Sequence, residues 1–148
     1  MISSIRHIGI VVRDLDESLK FYCGVLGLSI YMRHTEEQGQ FIDKLVGIHK
    51  VKLEWVKLII PNGGLIELLQ YHSHPDPDVF KDPETFPSNR LGCSHISLTV
   101  DNLSQLYDEL IKNGYKCKSE PLFSPNGKVK IVYCHDPDGI IIELIEDL

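Results

Sequence analysis

The sequence predicts an α+β fold made of two tandem βαβββ modules, and three observations carry that prediction. The run RHIGIVVRDL at 6–15 matches SHISLTVDNL at 94–103, which lays His7 on His95, Ile8 on Ile96, Ile10 on Leu98, Val12 on Val100 and Leu15 on Leu103. The run PNGGLIELL at 61–69 matches PDGIIIELI at 137–145, which lays Gly63 on Gly139, Glu67 on Glu143 and Leu68 on Leu144. Behind the first motif of each half runs one amphipathic helical stripe. Two matches in the same order mark a duplicated module, and the first copy carries about twelve extra residues, which we place near 36–50.

Each element follows from local chemistry. Residues 5–12 alternate as a strand. Asp14 then offers an N-cap with Glu17 three residues on, a capping-box-like start. Leu15, Leu19, Tyr22, Cys23 and Leu26 follow at helical spacing, and Gly27 ends the run where a left-handed cap is wanted. Strands are predicted at 28–34, 51–60 and 64–71, with Asn62-Gly63-Gly64 as a hairpin turn. Residues 72–91, rich in Pro and polar side chains, read as the connection between modules and as a candidate wall for a site. In the second half Asp101 or Asn102 caps a stripe of Leu103, Leu106, Tyr107, Leu110 and Ile111, closed by Gly114. Strands at 115–119, 128–134 and 140–146 complete it, with Asn126-Gly127 as a turn. The chain is thus read as a single domain, 1–148, whose modules are 1–71 and 92–148.

Composition narrows the function classes. The 148 residues carry 15 Lys and Arg against 21 Asp and Glu, a net charge of −6, with no basic run. Nucleic acid is therefore not an expected partner. No stretch approaches the roughly 20 apolar residues of a membrane span, and no signal-like segment opens the chain, so a cytoplasmic protein is expected. The four cysteines, Cys23, Cys93, Cys117 and Cys134, form no C-x-x-C pair and are read as reduced thiols with a packing role only.

Strand parity supplies the chemistry. His7, Gly9 and Val11 share one face of the first strand, and His95, Ser97 and Thr99 share one face of its repeat. The opposite, aliphatic faces should pack under the helices. Glu67 sits in LIELL and Glu143 in IIIELI, each between residues that belong in a core. An unpaired buried carboxylate costs several kcal/mol, so each calls for a proton, a cation or a metal. Two imidazoles and two carboxylates suit a divalent first-row metal with open positions for water or substrate. The bland alternative makes the histidines hydrogen-bonded core residues and the glutamates solvated; it suits any one of the four better than all four paired by a repeat. His72 and His74 could form a further pair but read as solvated loop residues, and His135 and Asp136 read as turn residues.

With these motifs in view, the chain resembles the vicinal oxygen chelate superfamily, which groups glyoxalases, bleomycin resistance proteins and extradiol dioxygenases. RHIGIVVRDLDESLKFYCGVLGL, LIELLQY, GCSHISLTVDNLSQLYDELIKNG and DPDGIIIELIE carry the resemblance over nearly the whole chain. It implies paired βαβββ modules whose curved mixed sheet surrounds a metal-binding cavity, with His7, Glu67, His95 and Glu143 as ligands. This set is similar to that of bacterial lactoylglutathione lyases, which implies Ni, Co or Zn, with Fe and Mn as further candidates. The implied reaction is metal-assisted removal of an α-proton from a carbonyl substrate, through an enediolate, with Glu143 as the first choice of base and Glu67 the second. A thiol conjugate or an acyl-CoA is the implied substrate class and a homodimer the implied assembly.

Some residues depart from that pattern. QFIDKLVGIHKVKLEW resembles no usual glutathione-binding stretch. Methylmalonyl-CoA epimerases, the alternative, share segments like Glu37-Gln38-Gly39 and Gly92-Cys-Ser-His95 but carry an amide where this chain has Glu67. Glu67 likewise disfavours the two-histidine, one-carboxylate iron site of the dioxygenases. A full set of four candidate ligands disfavours a non-catalytic resistance protein.

Overall fold

The structure, a computed structural model, describes residues 2–61, 63–76, 87–89 and 91–148. The chain divides into two compact units, Met1–Asp78 and Val79–Leu148.

In the first unit, alternation makes a strand of Ile8–Val11 (β1), and Asp14 caps the helix that follows (α1, Leu15–Leu19) by accepting from the backbone N–H groups of Asp16 and Glu17. The helix continues as a π-helical segment over Lys20–Val25, in which the Leu26 N–H reaches the Phe21 carbonyl at 2.9 Å. This departs from the predicted stripe. The buried residues are Leu15, Ser18, Phe21 and Tyr22, while Leu19, Cys23 and Leu26 are only half-buried. A wider turn lets two consecutive aromatics enter the core, where Phe21 and Tyr22 meet edge to face at 5.0 Å. Gly27, at φ +74°, ends the segment in the left-handed conformation the sequence predicts.

Strands β2 (Ser29–Gln38), β3 (Lys52–Ile59) and β4 (Leu65–Tyr71) complete a four-stranded sheet in the order β1-β4-β3-β2. β1 runs parallel to β4 and the other pairs are antiparallel. The extra residues of this module lengthen β2 past the predicted end at 34 and form a second helix, α2 (Gln40–Val46). Asp43 anchors the return of the chain by accepting from the N–H groups of Lys50 and Val51. Ile42 then packs on Val51 and Leu53, with Trp55, Leu69 and Tyr71 around them.

The second unit repeats the plan. β5 (His95–Thr99) leads to α3 (Leu103–Lys112), whose N-cap is Asn102 rather than Asp101. Leu103 and Leu110 are fully buried, Leu106 and Tyr107 half-buried, and Ile111 exposed. β7 (Val129–His135) and β8 (Ile141–Asp147) pair antiparallel, and β5 lies parallel to β8. The predicted strand at 115–119 is a single bridge at Cys117; the edge strand is Leu122–Phe123 (β6), which gives the order β5-β8-β7-β6. Asn126 organises the β6–β7 turn, its side-chain oxygen accepting from the Lys128 N–H and the Ser124 hydroxyl. Of the predicted connection, residues 77–86 and 90 lie outside the described residues, as does Asn62 of the first hairpin.

Register confirms the face assignment within each unit. Ile8 and Ile10 pair with Ile66 and Leu68, and Ile96 and Leu98 pair with Ile142 and Leu144. All lie on the face opposite the glutamates, where Ile66, Leu68, Ile142 and Leu144 are fully buried. Among the described residues, no helix is long and apolar enough to cross a membrane.

Candidate metal-binding and catalytic site

Each unit brings one histidine to one glutamate. In the first, Gly9 is the register partner of Glu67, so His7, two residues earlier, projects to the same face; His7 Nε2 lies 3.2 Å from Glu67 Oε2. In the second, Ser97 is the register partner of Glu143, and His95 Nε2 lies 3.6 Å from Glu143 Oε2. The two pairs are alike in burial as well: the side chains are 32% and 14% exposed in the first pair and 31% and 13% in the second. Repetition of register and burial means one local design used twice. Each pair supplies one imidazole nitrogen and one carboxylate oxygen, the donor types that first-row divalent ions accept. The donor chemistry of each pair therefore fits a divalent first-row ion. Within either unit, no third His, Cys, Asp or Glu among the described residues joins them.

The pairs differ in one neighbour that sequence reasoning missed. Across the antiparallel ladder, Glu67 faces Lys57 and Glu143 faces Tyr133. Lys57 Nζ sits 3.4 Å from Glu67 Oε1 and 4.7 Å from the centre of the Trp55 ring. Tyr133 packs its ring 5.0 Å from that of His95, with its hydroxyl 3.5 Å from His95 Nδ1. Burial and the adjacent Glu143 carboxylate hold the Tyr133 phenol above its ordinary range, so it stays a neutral hydroxyl. The signal was available: the match that lays Glu67 on Glu143 also lays Lys57 on Tyr133.

Further along the same face of the first sheet, Trp55 Nε1 donates to Glu37 Oε2 at 3.3 Å, and His34 Nε2 lies 3.3 Å from that oxygen. Beyond them α2 covers the end of the strands, so the inserted residues wall the face that carries Glu67.

Of the other candidates, His72, His135 and Asp136 have structural work. His72 is tied to Glu54, Nε2 to Oε2 at 3.3 Å, rather than simply solvated. Glu54 also accepts from Arg33, which reaches Asp16 at 3.1 Å. That network joins β2, β3 and α1 on the face away from Glu67, and the Glu54 hydrogen bond is the main reason the Arg33 guanidinium is held above its ordinary range. His74 takes a positive φ of 54° in the loop after β4. His135 and Asp136 are buried at the turn between β7 and β8, where Asp136 Oδ1 accepts from the N–H groups of Asp138 and Ile140.

Comparison with known proteins agrees with this architecture. The family model of the Glyoxalase/Bleomycin resistance protein/Dioxygenase superfamily matches residues 4–144. A probable lactoylglutathione lyase of Synechocystis sp. is 30% identical over 140 residues, covering 95% of this chain and 92% of that protein. A glyoxalase family protein of Bacillus cereus, known from its crystal structure, superposes with a TM-score of 0.87 at 25% identity, over 100% of this chain and 96% of that one. Glyoxalase I from Zea mays shares the fold, with a TM-score of 0.66 at 21% identity, over 96% of this chain and 46% of the plant chain.

Proposed function

Because the chain belongs to the Glyoxalase/Bleomycin resistance protein/Dioxygenase superfamily, we propose that it is a metal-dependent lyase or isomerase of the lactoylglutathione lyase type. The observation that carries this reading is the repeated pair: His7 beside Glu67 and His95 beside Glu143, matched in strand register and burial. A divalent ion, Ni, Co or Zn, would be held by these four side chains, two from each unit. The units are drawn from one chain or from both chains of a homodimer in the cytoplasm. When bound, the ion polarises a substrate carbonyl and stabilises the negative charge that develops on its oxygen.

The remaining work falls to this chain. Glu143 takes the α-proton of the substrate on a carboxylate oxygen and returns it to the neighbouring carbon. Tyr133, a neutral hydroxyl beside His95 and Glu143, orients the carboxylate without holding it by charge. Lys57 holds Glu67 in place as a ligand. The apolar wall of Trp55, Leu69 and Tyr71 under α2 restricts water on the first unit's face.

A substrate panel tests the reading: the hemithioacetal of methylglyoxal and glutathione, methylmalonyl-CoA in deuterated water, catechol under oxygen, and bleomycin. The expected result is isomerisation of the hemithioacetal without oxygen uptake, lost on chelation and restored by Ni, Co or Zn. Oxygen-consuming turnover of catechol, or tight drug binding by metal-free protein with no turnover, overturns it.

A further inference from the structure

Two cysteines the reaction does not use face each other across strands. Cys117 and Cys134 form an antiparallel bridge. The flanking bonds, Lys118 N–H to the Tyr133 carbonyl and His135 N–H to the Lys116 carbonyl, make it a non-hydrogen-bonded pair. In such a pair the Cα atoms stand about 4.5 Å apart and the side chains lean closest together, inside the range that a disulfide spans. Both are free thiols. Cys134 is fully buried, with its thiol directed to the Ile142 carbonyl, whereas Cys117 is half-buried. The equivalent place in the first unit holds Ile30 opposite Leu58, so packing there has no need of sulfur.

We propose that Cys117 and Cys134 are a dithiol modification site that small-molecule disulfides oxidise to a cross-strand disulfide. The order of events follows from exposure. The Cys117 thiolate attacks a disulfide R–S–S–R; the R–S–S–R bond breaks, a Cys117–S–S–R bond forms and R–S⁻ leaves. Cys134 then passes its proton to the released R–S⁻ and attacks Cys117 Sγ, forming Cys117–S–S–Cys134 and expelling the second R–S⁻. The two protein thiols are oxidised by two electrons and the small disulfide is reduced to two thiols. The hydrogen bond between the thiols supports this division, since it draws Cys117 below its ordinary range and Cys134 above, where burial adds to the rise. The staple ties the stretch before β6 to β7, one residue from Tyr133.

The test uses the whole chain, reduced and then incubated with glutathione disulfide, followed by alkylation in denaturant and peptide mapping. The expected product carries Cys117 and Cys134 in one linked peptide pair, two hydrogen atoms lighter than the two thiol peptides together, and the chain regains four alkylatable thiols on reduction. In Cys134→Ala, oxidation should stop at a stable glutathione adduct on Cys117. Exposed Cys93 serves as the internal control for oxidant activity. Cys93 modified while Cys117 and Cys134 both remain alkylatable overturns the proposal, and so does a lasting glutathione adduct on Cys117 in the unmutated chain. Neither readout depends on metal or catalysis, so failure here leaves the proposed reaction untouched.

Discussion

Replacing Glu143 with Gln should lower kcat by about 10²- to 10⁴-fold, the range lost when a positioned general base is removed, with the fold intact. Gln keeps the shape and one oxygen donor but cannot take a proton. The same replacement at Glu67 should cost less in kcat and more in metal affinity. The difference comes from the residues across the ladder. Glu67 has His7 on Oε2 and the Lys57 ammonium on Oε1, so both of its oxygens are already engaged by neighbours. Glu143 meets His95 on Oε2 and, across the ladder, a neutral tyrosine hydroxyl in place of an ammonium. Steady-state kinetics of both variants at saturating metal check this. A larger kcat loss for Glu67→Gln would transfer the base to the first unit.

His95→Ala should abolish metal binding and activity while leaving the melting temperature close to that of the unmutated protein. Its neighbour Ile96→Ala should do the reverse, costing about 2–5 kcal/mol of stability while keeping the metal. The two residues are adjacent in β5 but point to opposite faces. His95 faces Glu143 and Tyr133, whereas Ile96 is 6% exposed in the layer that includes Ile142 and Leu144. Thermal unfolding and calorimetric metal titration of both variants give the answer. Loss of metal from Ile96→Ala with a folded, metal-binding His95→Ala would reverse the assignment of faces.

Much of this was legible because strand parity is rigid. Once 5–12 and 95–100 read as strands, period-two alternation put His7 and His95 on the face away from the aliphatic residues, and a one-residue error would have inverted the core. The glutamates were legible from the cost of a carboxylate inside an apolar run. Asp14 and Gly27 were legible because capping needs particular side chains and particular φ values.

What sequence reasoning missed depends on contacts between strands. Lys57 and Tyr133 read as ordinary strand residues until hairpin register sets them opposite the glutamates. The π-helical turn follows from the competition of Phe21 and Tyr22 for one core, which a 3.6-residue period does not represent. The strand expected at 115–119 shrank to one bridge and the edge moved to Leu122–Phe123, since edge pairing is set by the neighbouring strand more than by its own residues. Glu54 and His72 are far apart in sequence, and their pairing across β3 and the end of β4 had no local signature.

The central claim is that two separate histidine–glutamate pairs make one metal site, and the stoichiometry of binding tests it most directly. Metal-stripped protein titrated calorimetrically with Ni, Co or Zn at neutral pH should take up one equivalent per chain. Affinity should fall as the solution is acidified, because imidazole and carboxylate donors bind metal only when deprotonated. Removing one pair, as His7→Ala with Glu67→Ala, should abolish that equivalent rather than halve it. Two equivalents per chain, each lost with its own pair, or no uptake at all, would contradict the account.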